Sequence, residues 1–173
     1  MTNTRATTPH ADETKSVDDL VRGGDVAFLV TLDARGATSS RPLTVAEAHG
    51  GVLTFLVDAS APWFVDVEPG TRPAGEVHLT IANGRNDWIS LRCRPSVSAD
   101  RATIDRLWNP AAAAYFDGKD DPNLRALQVS VVDGSYWSAP GGGVLGRLAS
   151  VVSAAIGRDH ALPGNDHGDV ARD

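Results

Sequence analysis

Three strand-like runs between Val26 and Asp58 constrain this chain more than any other feature. They are Val26 to Leu32, Thr38 to Val45, and Val52 to Asp58. Each is rich in β-branched and aromatic residues, and each is bounded by turn chemistry. Asp33-Ala34-Arg35-Gly36 separates the first two runs, and Glu47-Ala48-His49-Gly50-Gly51 separates the second from the third. The pattern predicts an antiparallel meander. Its middle strand carries a cation, Arg41, among Ser39, Ser40, Pro42 and Thr44. A charge inside a strand either meets an anionic partner or lies on the solvent face.

The rest of the chain continues the β pattern. Val77, Leu79 and Ile81 alternate with polar residues, Asn83 to Asn86 is a hairpin signal, and Ile89, Leu91 and Cys93 alternate again. Leu124 to Val132 reads as a last long strand, with Asp133-Gly134 as a turn after it. Short helices fill the gaps: Val17 to Arg22 behind a Ser16 cap, a piece between Ala59 and Val67, Arg101 to Trp108 behind Asp100, and a turn or two from Ala111 to Phe116. Val144 to Ile156 carries an amphipathic helical stripe. Evenly spaced strands with few long helices imply a mainly β fold with flanking helices, a closed or nearly closed small antiparallel barrel. The expected organisation is a disordered tail over residues 1–15, one domain over residues 16–157, and a second disordered polar tail over residues 158–173.

Composition removes several function classes. A formal net charge of −6 argues against a nucleic-acid surface, which needs a basic patch. No apolar run reaches membrane-spanning length, and the first fifteen residues lack the apolar stretch of a secretory signal, so a cytoplasmic location is expected. Cys93 is the single cysteine, which excludes an internal disulfide and a thiolate zinc cluster. His49 and His78 have no metal-ligand neighbours at useful spacing. Of the 16 basic residues only Lys15 and Lys119 are lysines, so anion recognition falls to arginines or backbone amides. No paired-carboxylate or nucleophile–histidine arrangement stands out, and no catalytic side chain is assigned.

The segment from Leu107 to Gly142 carries a resemblance. Leu107-Trp108-Asn109-Pro110, Tyr115-Phe116, Gly118 to Leu124, and Tyr136-Trp137 ahead of Pro140-Gly141-Gly142 resemble the C-terminal half of general stress protein 26-like proteins. That family belongs to the pyridoxamine 5'-phosphate oxidase-like, FMN-binding split-barrel superfamily. Ser40-Arg41-Pro42-Leu43, followed by an apolar strand ending in Val57-Asp58, agrees with its N-terminal half. The resemblance implies a split β-barrel that forms a homodimer, with FMN in a groove between the subunits and a flavin-dependent oxidoreductase activity in a stress response. It implies that Arg41, Leu43 and Thr44 line the flavin, and that Val57, Asp58 and Ser60 sit near the ribityl phosphate. Trp137 would cover the flavin ring from the partner subunit or seal the barrel. Family members commonly carry a phosphate-contacting lysine after the third strand, where this chain has Pro62 or Trp63. Trp63 then plugs that space or stacks on a ring. The phosphate contact passes to Arg41, Arg72 or Arg85, or the cofactor is another, such as the deazaflavin F420. The remaining alternatives are a non-catalytic cofactor-binding module and a barrel that has lost its cofactor and serves as an interaction protein.

Overall fold

The computed structural model describes residues 14–33, 35–68, 75–85, 87–110, 112–138 and 166–171. In chain order these form β1 (Lys15–Ser16), α1 (Val17–Leu20), β2 (Val26–Leu32), β3 (Thr38–Thr44), β4 (Glu47–His49), β5 (Val52–Asp58), β6 (Val77–Ala82), β7 (Asp87–Ser98), α2 (Arg101–Leu107), β8 (Leu124–Ser138) and β9 (Asp166–Ala171). Single 3-10 turns lie at Phe64–Asp66 and Ala112–Ala114. The architecture is mainly β, as expected. One sheet runs β1-β9-β8-β7-β6-β2-β3, with β5 joined to β8 and β4 joined to β5, and it is not closed by hydrogen bonds into a ring. Every pairing is antiparallel except β1 with β9.

The meander expectation is half right. β2 and β3 pair over seven residues, Val26 with Thr44 through Leu32 with Thr38. β5 does not follow β3; it pairs with β8, from Val52 with Ser130 to Asp58 with Leu124. Burial explains this. Phe55 is fully buried and so are its neighbours Leu53 and Thr54, so β5 has packing on both faces, whereas β3 is an exposed edge. The chain changes sides at one corner. Val45 still bonds Asp25 through its amide, while the Ala46 amide already donates to Thr54, 2.8 Å away. The segment read as a turn, Glu47 to Gly51, holds the extra strand β4. Only Gly50 and Gly51 turn, at φ +58° and +72°, which suits a two-residue hairpin whose central residues both need positive φ.

β8 is the backbone of the sheet. It runs through the expected turn at Asp133-Gly134 and ends at Ser138. β7 lines one edge throughout; β5 takes the other edge along Leu124–Ser130, and β9 takes it along Ser135–Ser138. Arg92 pairs with Asp133 and Cys93 with Val131, which leaves Val132 as the extra residue of a bulge. Gly134 is required there for space, not for backbone freedom. A Cβ on it would lie 2.5 Å from the Ser90 carbonyl oxygen and 2.6 Å from Leu91 Cδ2. The close approach of β7 and β8 at this point permits no side chain, so a glycine stands mid-strand.

The ends of the chain also differ from the expectation. Lys15–Ser16 and Asp166–Ala171 pair as parallel strands, so strand structure lies inside both expected tails. The predicted helix over residues 144–156 lies outside the described residues. α1 forms as expected: Ser16 accepts from the Asp19 amide and Asp19 reaches back, a reciprocal cap. The helix expected between Ala59 and Val67 contracts to the one turn Phe64–Asp66. Among the described residues no helix is long and apolar enough to cross a membrane.

The core lies between the curved sheet and the short helices. Ala27, Leu29, Leu53, Phe55, Leu79, Leu91, Leu127 and Tyr136 are all fully buried. Cys93 belongs to it. Burial first, and the charge of Asp133 second, push its thiol up to about 12. The opposite sheet face is wet but apolar in part: Val26, Phe28, Leu32, Trp88 and Trp137 are exposed there.

Two outcomes follow from this packing. Gly134→Ala should lose about 2 kcal/mol or more of stability by overpacking against β7, read as a lower urea midpoint at unchanged slope. The raised Cys93 pKa stabilises the fold below the unfolded thiol's value. That contribution is lost as pH climbs from about 9 towards 12, because the unfolded chain releases its proton first. A thiol reagent at pH 8 should therefore leave native Cys93 unmodified and label it only on unfolding.

Candidate anion and flavin site

Arg41 stands on the inward face of β3. Directly opposed residues of an antiparallel pair share a face, and Arg41 opposes Leu29, which is fully buried. Ser39 opposes Thr31 and Leu43 opposes Ala27 on the same face. The guanidinium therefore reaches into the fold rather than into solvent. Its Cζ lies 4.6 Å from the centre of the Trp63 ring, a cation–π contact. Nη2 donates to Thr31 Oγ1 at 3.0 Å and also to Ser39 Oγ. The Thr31 hydroxyl donates onward to Asp66 Oδ2 at 3.2 Å. Nη1 is buried and has no acceptor, the one such side-chain atom among the described residues. Burial pulls the guanidinium's pKa below its ordinary value, and the nearby Asp66 charge works against that shift.

One local turn supplies Trp63, which faces Arg41, and Asp66, which reaches it through Thr31. Trp63 precedes the 3-10 turn Phe64–Asp66 and packs edge-on to Phe64, which is buried in the core. A single turn places residues three apart on one side, so Trp63 and Asp66 both face Arg41. The turn before it is tied differently. Asp58 Oδ1 accepts from the Ser60 amide and the Ser60 hydroxyl, both at 2.7 Å. The donors at the end of β5 are thus already satisfied by a carboxylate of the chain itself.

The expected site residues divide accordingly. Arg41 and Trp63 are brought into contact, and Leu43 packs against the core on the same face. Thr44 points to the opposite, exposed face of β3. Val57 is buried in the core, Asp58 is half-buried and Ser60 exposed. Trp137 lies on the outward face, opposite Trp88 on β7, away from the Arg41 side of the sheet. Arg85 is committed elsewhere: it bonds Asp25 at 2.8 Å and the Leu20 carbonyl at 2.7 Å. Arg72 falls outside the described residues. Two residues of the Arg41 cluster, Thr31 and Asp66, escaped the sequence reading. Thr31 had a signal, being the polar residue on the inward face of a strand otherwise lined there by Ala27 and Leu29. Asp66 had a weaker one, three residues beyond Trp63.

The outward face holds a second polar cluster. Arg92 pairs with Asp133 and, at 2.7 Å, with Glu76, and Arg94 approaches Glu76 at 3.5 Å. Hydrogen bonds from Arg92 hold the Glu76 and Asp133 carboxyls below their usual range. These arginines are therefore internally paired. No group of three or more His, Cys, Asp or Glu among the described residues could hold a metal ion.

The local cost at Arg41 gives a test. A desolvated cation with an unmatched donor contributes little to folding, because its burial penalty offsets its contacts. Arg41→Met should change stability by no more than about 1 kcal/mol in urea unfolding. A loss of several kcal/mol would show that the cation is there for the fold.

No curated protein matches the sequence. Solved structures do. Over 66% of this chain and 80% of its own, the general stress FMN/FAD binding protein of Xanthomonas citri superposes with a TM-score of 0.56 and 26% identity. General stress protein 26 of Bacillus anthracis str. Sterne covers 66% of this chain and 84% of its own, at TM-score 0.56 and 18% identity. A proposed general stress protein 26 of Jannaschia sp. CCS1 covers 85% and 90%, at TM-score 0.59 and 20% identity. These likenesses give the split-barrel fold. The sequence itself matches the family described as pyridoxamine 5'-phosphate oxidase like over residues 12–161, most of its length, and the chain belongs to that family.

Proposed function

We propose that this protein binds FMN, with the phosphate on Arg41, and works as a flavin-dependent oxidoreductase of the general stress protein 26 type. The observation that carries the reading is the buried Nη1 of Arg41, a donor without an acceptor in the stretch where the family resemblance puts the flavin. An acceptor-seeking guanidinium suits a phosphate, which takes charge-assisted hydrogen bonds from an Arg fork. The FMN/FAD binding named for the Xanthomonas citri protein supports it. When bound, the isoalloxazine would supply the electron or hydride transfer. The chain's own part is to bind and orient. Arg41 holds the anion, Trp63 supports Arg41 from one side, and the Asp58–Ser60 turn shapes the end of β5.

The same reading places a second copy of the chain on the outward face. Val26, Phe28, Trp88 and Trp137 are exposed there as large apolar side chains, and dimerisation would bury them. Trp137 would then lie in the contact between the two copies. A cytoplasmic setting and a stress role belong to the same proposal.

Titration of the purified chain with FMN and with F420 tests it. FMN should saturate at one per subunit, and Arg41→Ala should weaken it by about 2 kcal/mol, roughly thirtyfold. Uptake of F420 alone would keep the fold and replace the cofactor; uptake of neither would overturn the binding reading. Phe28→Glu should convert the dimer into a particle of single-chain mass in light scattering.

A further inference from the structure

The two terminal nitrogens of Arg41 are placed differently. Thr31 and Ser39 oppose each other across β2 and β3, two residues along the inward face from the Leu29–Arg41 pair. The side chain of Arg41 reaches back to that pair, and both hydroxyl oxygens accept from Nη2, Thr31 Oγ1 at 3.0 Å. A terminal guanidinium nitrogen carries two hydrogens, so Nη2 has an acceptor for each. The Thr31 hydroxyl gives its own proton to Asp66 Oδ2 at 3.2 Å, which leaves its oxygen free to accept from the cation. Nη1, on the other arm of the same group, is buried and has no acceptor among the described residues.

A guanidinium is planar and rigid, so holding one of its nitrogens sets the direction of the other. The Trp63 ring, with its centre 4.6 Å from Cζ, bounds one side of the group. The two hydroxyls limit its rotation through Nη2. A free arginine side chain loses rotamer freedom when it binds an anion; one held beforehand loses less, and binding is tighter by that difference. Resting on the flavin reading, we propose that Thr31 and Ser39 are positioning residues for the ligand's phosphate. They hold Nη2, and so set Nη1 in the direction from which the phosphate is taken. Nη1 is closed to water in the chain alone, so a phosphate oxygen reaches it only when a group beside it gives way. The anchor on Nη2 keeps the cation in place through that change.

A double-mutant cycle read by flavin fluorescence tests this. FMN is titrated into the wild-type chain, into Thr31→Val and Ser39→Ala, and into each of these in an Arg41→Ala background. Each single change should weaken FMN about threefold to tenfold, because the cation must then be ordered as the ligand binds. In the Arg41→Ala background the same changes should shift FMN by less than about twofold, since the group they position is gone. Thr31→Ser keeps the hydroxyl and should restore wild-type affinity, which a role in packing alone would not require. Ser39 lies exposed at the strand edge, so Ser39→Ala carries the comparison if Thr31→Val, which also loses the Asp66 contact, does not fold. Equal weakening in both backgrounds, or no weakening by either change, would overturn the positioning role and leave the flavin reading standing. If the wild-type chain takes up no FMN, the flavin reading fails and the inference fails with it.

Discussion

The pairing of β8 along both of its edges is the constraint on which the rest of this structure depends. One strand of 15 residues holds β7 on one side and, on the other, β5 along its first half and β9 along its last residues. Two local devices let one strand serve these neighbours. The bulge at Val132 adds a residue where the register must shift, and Gly134 lets β7 come within what would be contact distance of a side chain. A bulge increases twist and bends the strand, which carries the sheet round towards a barrel without closing it. β5 is thereby brought round near β3 although the two lie at opposite ends of the hydrogen-bonded strand order, and the turn that follows β5 can lean over the inward face of β3. The meeting of Trp63 with Arg41 is a product of that topology.

Placing a cation inward is costly unless something matches it. Arg41 is matched only in part: an aromatic face, two hydroxyls and a relayed carboxylate serve it, and one nitrogen has no acceptor. An apolar residue at this position would pack against Leu29 and Trp63 with no such deficit. Local rules that a sequence breaks without structural gain tend to mark functional positions. Here the broken rule is a charge on the buried face of an edge strand, and its neighbours are polar residues on faces that are otherwise core. The outward arginines make the contrast. Arg92 has two carboxylate partners in solvent, where ion pairs cost little and contribute little.

Alternation made much of this fold legible. β2, β3, β6 and β7 announce themselves by their strand residues and turns, and β2 with β3 and β6 with β7 pair as those turns imply. What was not legible was non-local. Nothing in Val52 to Asp58 says that its partner lies some seventy residues ahead, because a strand buried on both faces reads alike whichever neighbour covers it. Asp133-Gly134 reads as a turn because the pair favours one, yet close packing on Leu91 demands glycine for another reason. The strand at Asp166–Ala171 was hidden by its polar composition, which suits an edge. At the site, Arg41 stood out as a charge in a strand. Asp66 did not, since its contact with Thr31 depends on how the turn after β5 folds.

Trp63 stands where the family resemblance led a lysine to be expected, and it changes the surroundings of Arg41. A second cation would have raised affinity for any anion, but it would also have faced Arg41 at close range in a partly dry pocket, where like charges repel strongly. The indole gives the guanidinium a favourable face without that repulsion, at the loss of half the positive charge. The guanidinium instead lies on the indole and reaches Asp66 through Thr31. How this cation is held therefore rests on the geometry of one turn, Trp63 to Asp66.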